Sequence, residues 1–248
     1  MQLFISPPFG NYLGFLPNTY AIYGSYTLYP RPGLFKQIIK TLRYDSLAKG
    51  WINKIGLRNK GIDYMINKWK NSFFSFIHRN NIVSIAILNH DDINYFLEKI
   101  PDDMNLEINI SCPNTEDDLV RTDIQKFLNP NRKICSLKCS PLTKTDEIDY
   151  FYNLGFRRFH FSNTIPVPPR GGLSGPLLIP YTSRLTKYTK DKYGDTVFVI
   201  SGGGIRSIED IENYKKLGCD AVSISTLCFN PFHFIIFYMN FIFHKDFY

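Results

Sequence analysis

The residues best suited to chemistry lie in Asn109-Ile110-Ser111-Cys112-Pro113-Asn114-Thr115. They follow an alternating run, Met104-Asn105-Leu106-Glu107-Ile108, at the point where a strand should give way to a loop. A thiol between amide side chains can accept a proton beside a ligand whose polar edge the amides hold. The proline ends the strand by removing a ladder donor. Cysteine is more often a small buried hydrophobe than a base. Here polar neighbours on both sides and a turn proline favour chemistry over packing.

Two further groupings could serve the same ligand. Gly202-Gly203-Gly204 follows an apolar run and precedes a helix start at Ser207. Missing Cβ atoms allow close approach, and helix N–H groups favour negative charge, so this is a phosphate cradle. Ser225-Thr226, after the next strand, adds two hydroxyls. Lys138 ends another apolar run at the position equivalent to Asn109, so a cation and an amide could face one ligand. Asn53 and Asn163-Thr164 add amides and a hydroxyl at loop positions, although such residues are commonest in turns. His160 has aromatic neighbours and reads as a packed core residue. The other histidines show no metal-ligand spacing, so no metal is expected.

The elements that must position these residues alternate. From about Ile82 onward, β-branched runs alternate with amphipathic stretches, the pattern of parallel strands joined by helices. Six strands are read: Ile82 to Leu88, Leu106 to Ile110, Ile134 to Lys138, Arg158 to Phe161, Val197 to Ile200 and Ala221 to Ile224. Helices are expected over Asp91 to Ile100, Leu119 to Leu128, Thr143 to Leu154 with Thr143 as cap, Leu177 to Asp191, and after Ser207. Ser162 to Gly175 is too rich in proline and glycine for a core element. Leu3 to Phe9 and Ala21 to Leu28 would complete eight strands, with a helix near Ile62 to Trp69 after a loop-like Trp51 to Asn59. The turn between those first two strands is too short for an ordinary crossover. The expected fold is therefore a (β/α)8 TIM barrel, irregular or truncated in its first βα unit.

A chain of 248 residues suits one such barrel, so residues 1–248 are read as a single domain. The net charge of +7 suits an anionic ligand, and the scattered lysines argue for a solvated face over a nucleic-acid surface. Five cysteines without a CxxC pair fit reduced thiols in a cytoplasmic protein. The amino terminus reads as folded protein and not as a signal peptide. Phe232 to Phe243 is apolar but too short to span a membrane, so a packed terminal helix is expected.

Asn109 to Thr115, Gly171 to Gly175 and Ser201 to Ile205 together resemble the dihydroorotate dehydrogenase family, and the resemblance runs from about Ser6 to Phe232. It implies an FMN-binding barrel that oxidises dihydroorotate to orotate in pyrimidine biosynthesis. By the same resemblance Cys112 is the base that takes the C5 proton, with Lys138 beside the flavin. Asn53, Asn109, Asn114, Asn163 and Thr164 hold the substrate, and Ser25, Lys138, Ser174, Gly175, Gly203, Gly204, Ser225 and Thr226 contact FMN. The implied partners are a small-molecule substrate and a second copy in a homodimer, without nucleic acid or stable membrane insertion. The cysteine base and Ile52 to Asn59 resemble the soluble class, whereas Gly24-Ser25-Tyr26-Thr27 resembles the membrane-associated class. Two other readings stay open: a non-catalytic FMN- or phosphate-binding relative, and an enzyme like the tRNA dihydrouridine synthases.

Overall fold

A computed structural model describes residues 1–71, 81–110 and 118–244, with backbone alone at 118–120. In chain order its strands are β1 (Gln2–Ile5), β2 (Thr19–Tyr26), β3 (Arg43–Asp45), β4 (Gly50–Asn53), β5 (Ile82–Ile85) and β6 (Leu106–Asn109). They continue as β7 (Cys135–Cys139), β8 (Arg158–Phe161), β9 (Ile165–Val167), β10 (Gly171–Ser174), β11 (Phe198–Gly202) and β12 (Ala221–Ile224). The helices are α1 (Gly10–Leu13), α2 (Leu34–Thr41), α3 (Ile62–Trp69), α4 (Asp91–Lys99), α5 (Asp118–Asp123), α6 (Thr145–Asn153), α7 (Ile179–Tyr193), α8 (Ile208–Lys216) and α9 (Pro231–Phe243).

Eight strands close a barrel in the order β1-β12-β11-β8-β7-β6-β5-β2, and every neighbouring pair is parallel. Alternation decides what each side chain meets. Leu3, Val83, Leu106, Leu137, Phe159, Val199 and Val222 belong to the two clusters between strands and helices. Residues of the other phase, Phe4, Ile22, Ile82, Ile200 and Ala221, form a separate apolar plug. That plug is the filled interior expected of a barrel. In the same phase but nearer the strands' C-terminal ends come Ser84, Glu107, Lys138, His160 and Ser223, all buried. The barrel is thus apolar at its base and polar at its mouth.

The first unit is short yet complete. Pro7 and Pro8 lack N–H donors, so β1 stops at Ile5 and not at Phe9. The connection consequently runs from Ser6 to Asn18, holds the single-turn helix α1, and lets β2 pair beside β1 with Leu3 opposite Thr19.

Two segments expected to be loops are strands. Trp51 and its neighbours form β4, and the proline-rich stretch after β8 folds into the hairpin β9–β10. With β3 they make an antiparallel sheet, β3-β4-β10-β9, outside the barrel. The helix expected to run to Leu128 ends as α5 and continues as a 3-10 turn, Ile124–Phe127. Lys144, one residue past the expected Thr143, is the cap of α6, where its N–H donates to Glu147 Oε2. Helix α9 buries Phe234, Phe237 and Phe241 against the cluster that contains Leu3 and Ile5. Among the described residues no helix is long and apolar enough to cross a membrane.

Candidate active site

A cavity of about 470 Å³ opens at the C-terminal ends of the barrel strands, a volume typical of small-molecule sites. Asn53, Asn109, Asn163, Thr164, Lys138, Ser25, Ser174, Gly203, Gly204, Ser225 and Thr226 all line it. Gly175 does not line it but backs Gly204. Cys112 and Asn114 lie outside the described residues. The other cysteines, Cys135, Cys139, Cys219 and Cys228, are free thiols that burial pushes up, to about 12 for Cys135, Cys219 and Cys228. None of these four is suited to act as a base at neutral pH.

The outer sheet gathers amides that are distant in sequence. Gly172 of β10 pairs with Asn53 of β4, and the Asn53 carboxamide accepts from Ile55 N at 3.2 Å. A Cβ on Gly172 would overlap the Thr164 side chain, so glycine lets the hairpin close over Thr164. Asn163 Oδ1 accepts from Thr164 N at 2.8 Å, which turns the chain at the end of β8. On the barrel side, Asn109 Nδ2 donates to Ser25 Oγ at 3.3 Å, and Ser25 Oγ lies 2.9 Å from Ser84 Oγ.

At the expected phosphate cradle, three N–H groups around the helix start already have partners. Ser207 caps α8 as expected, but its oxygen accepts from Asp210 N, while the Asp210 carboxylate accepts from Arg206 N and Ser207 N. Those donors are taken. Gly203 and Gly204, at φ +86° and +98°, turn the chain along the cavity wall, and a Cβ on Gly204 would lie 2.5 Å from Gly175 O. Ser225 spends its hydroxyl on Pro7 O at 2.9 Å, which ties the loop after β12 to the loop after β1. The bare backbone at Gly203 and Gly204 fits a phosphate-tailed ligand.

Sequence reasoning passed over three basic residues of the cavity. Arg31, Lys54 and Arg58 line the cavity, and among the described residues none of its lining side chains is a carboxylate. Backbone pairing of Arg31 with Asn59 brings two separate loops together there. The available signal was Arg58, which shares a stretch with Asn53. His160, read as a packing residue, is indeed fully buried, but it is hydrogen-bonded on both ring nitrogens. Its Nδ1 lies 2.6 Å from Glu107 Oε2, and Lys138 Nζ lies 4.0 Å from Glu107 Oε1. Burial opposes charge on Glu107, yet His160, Lys138 and Ser84 outweigh it and hold the carboxyl down at about 2. Burial also lowers the His160 value, against the upward pull of Glu107, and the ring donates to the carboxylate through Nδ1.

The chain is similar to known proteins in both sequence and fold. The family model described as dihydroorotate dehydrogenase matches residues 12–150. The catalytic subunit of dihydroorotate dehydrogenase B (NAD(+)) from Thermotoga maritima is 27% identical, with 89% of this chain and 87% of that protein covered. The corresponding subunit from Malacoplasma penetrans is 26% identical over 77% of this chain and 71% of its own length. The crystal structure of ligand-free DHODH from Eimeria tenella shares the fold, with a TM-score of 0.70 at 18% identity, covering 91% of this chain and 78% of that one. With its family match extending over more than half its length, the chain belongs to the dihydroorotate dehydrogenase family.

Proposed function

We propose that the protein oxidises dihydroorotate to orotate in pyrimidine biosynthesis, with FMN as its cofactor. One observation carries the reading: carboxamides, an ammonium group and a glycine-backbone cradle share a single cavity at the barrel mouth. When bound, the flavin would supply the hydride acceptor. Gly203 and Gly204, with Ser225 and Thr226, would hold its phosphate, and Lys138 would stand beside its ring. Ser25, Ser174 and Gly175 complete the proposed cofactor contacts.

The chain's own residues do the rest. Asn53, Asn109, Asn114, Asn163 and Thr164 orient a planar amide-rich substrate through directional hydrogen bonds. Arg31, Lys54 and Arg58 draw its carboxylate into the cavity. Cys112 accepts the C5 proton on sulfur. A thiol suits that task because its ordinary value of ~8.5 needs only a modest shift to give thiolate at neutral pH. Similarity to NAD(+)-linked catalytic subunits supports NAD over quinone as the eventual acceptor.

The test is direct. Purified protein should be yellow, and dihydroorotate added without oxygen should bleach the flavin. A protein that takes up no FMN refutes the reading. Tight FMN binding without bleaching would instead identify a non-catalytic relative.

A further inference from the structure

At the cavity floor lies a buried polar cluster of which the proposed chemistry uses only Lys138. Glu107 and His160 are both fully buried, Ser223 is 1% exposed, and Lys138 is 7% exposed. His160 Nδ1 lies 2.6 Å from Glu107 Oε2, and His160 Nε2 lies 2.7 Å from Ser223 Oγ. A carboxylate can only accept, so Nδ1 carries the hydrogen, and in the neutral imidazole Nε2 accepts from the Ser223 hydroxyl. Ser223 in turn lines the cavity. Hydrogen-bonded groups therefore run without a break from the cavity wall through Ser223 and His160 to Glu107.

The charges are matched but not saturated. The groups that face His160 are the carboxylate of Glu107 from β6, the ammonium of Lys138 from β7 and the hydroxyl of Ser223 from β12. The adjoining strand β11 brings Ile200 to its register position. With His160 neutral, Lys138 and Glu107 sum to zero. Glu107 Oε1 has no hydrogen-bond partner among the described residues, and the Lys138 ammonium lies 4.0 Å from it. Packing alone would be met more cheaply by the aliphatic residues that fill the layer below. A fully buried imidazole beside a carboxylate with spare accepting capacity can hold one more proton. Its route to the cavity is the Ser223 oxygen.

We propose that His160 is a proton-accepting positioning residue: when negative charge forms on a ring held beside Lys138, His160 takes up one proton through Ser223 and becomes an imidazolium clamped by Glu107. The proton comes from a hydronium ion or buffer acid of the solvent, whose conjugate base stays in solution. It binds Ser223 Oγ as that oxygen passes its own hydrogen to His160 Nε2, while Nδ1 keeps its hydrogen toward Glu107, and no electrons move in the step. The buried cluster then gains one positive charge to offset the negative charge formed above it. The inference rests on the flavin reading and names how that site would compensate its charge.

The experiment uses the whole flavin-loaded protein. The pH dependence of the flavin midpoint potential near neutral pH gives the protons taken up per two electrons. Wild type should take up one more than His160→Gln or Glu107→Gln, with the reduced-flavin absorbance unchanged between them. Ring-nitrogen NMR of wild type should show His160 neutral with oxidised flavin and doubly protonated after reduction. The NMR arm stands even if the variants do not fold. Equal proton uptake in wild type and His160→Gln, or an imidazole neutral in both redox states, overturns the inference while the flavin reading stands. A chain that binds no flavin overturns both.

Discussion

Asn109 and Lys138 stand opposite one another on neighbouring parallel strands, in register at the last position that β6 and β7 share. Both side chains line the cavity. Because adjacent strands lie only ~4.8 Å apart, the amide and the ammonium are held side by side by the sheet itself and not by a loop. The polar mouth of the barrel is built around this pair.

Losing the cation should expose what it holds. In Lys138→Met the Glu107 carboxylate stays buried without its ammonium. Breaking such a pair costs ~3–5 kcal/mol, and urea unfolding should show that drop at neutral pH. Unchanged stability would mean that His160 alone carries the carboxylate.

Acid should titrate the same carboxylate. The Glu107 carboxyl lies at about 2 in the fold against its ordinary value of 4.5. Its ionised form therefore stabilises the protein above 4.5, and that contribution is lost as pH falls from 4.5 through about 2. The stability gap between wild type and Glu107→Gln should be full at neutral pH and close across that window. A gap independent of pH would refute the assignment.

Gly204→Ala places a Cβ at φ +98°, 2.5 Å from Gly175 O. Left-handed strain and the backbone overlap should cost ~1–3 kcal/mol and distort the cradle. Flavin content after purification should fall together with Tm. Full flavin content would move the phosphate site elsewhere.

Cys112→Ala should leave FMN bound but slow its reduction by dihydroorotate ~10²–10⁴-fold, the usual contribution of a general base. Anaerobic stopped-flow absorbance measures it. Normal reduction would remove Cys112 from the role.

Arg58 lines the cavity and donates through one guanidinium nitrogen to Pro32 O at 3.3 Å. Arg58→Ala should raise KM for dihydroorotate about tenfold, as expected for a lost charge-assisted hydrogen bond, with a smaller change in kcat. An unaltered KM would leave the carboxylate to Arg31 and Lys54.

The sequence by itself determined the order of the barrel. The six later strands were legible from β-branched runs between amphipathic stretches, because period and turn chemistry are local properties. The same locality placed Asn109 and Lys138 in equivalent phase and set the glycine triplet at a strand end. What lay beyond one element was not legible. The first crossover looked too short because the end of β1 depends on two prolines, and β4 and the β9–β10 hairpin looked like loops because short antiparallel strands are stabilised by partners distant in the chain. Only the tertiary structure decided that Asn53 meets Gly172, that Asp210 takes the Arg206 and Ser207 N–H groups just before α8, and that His160 lies between Glu107 and Ser223. Alternation tells which side chains enter a barrel, but which of them touch is settled by closure. Closure brings into contact residues on β6, β8 and β12 that no local pattern relates.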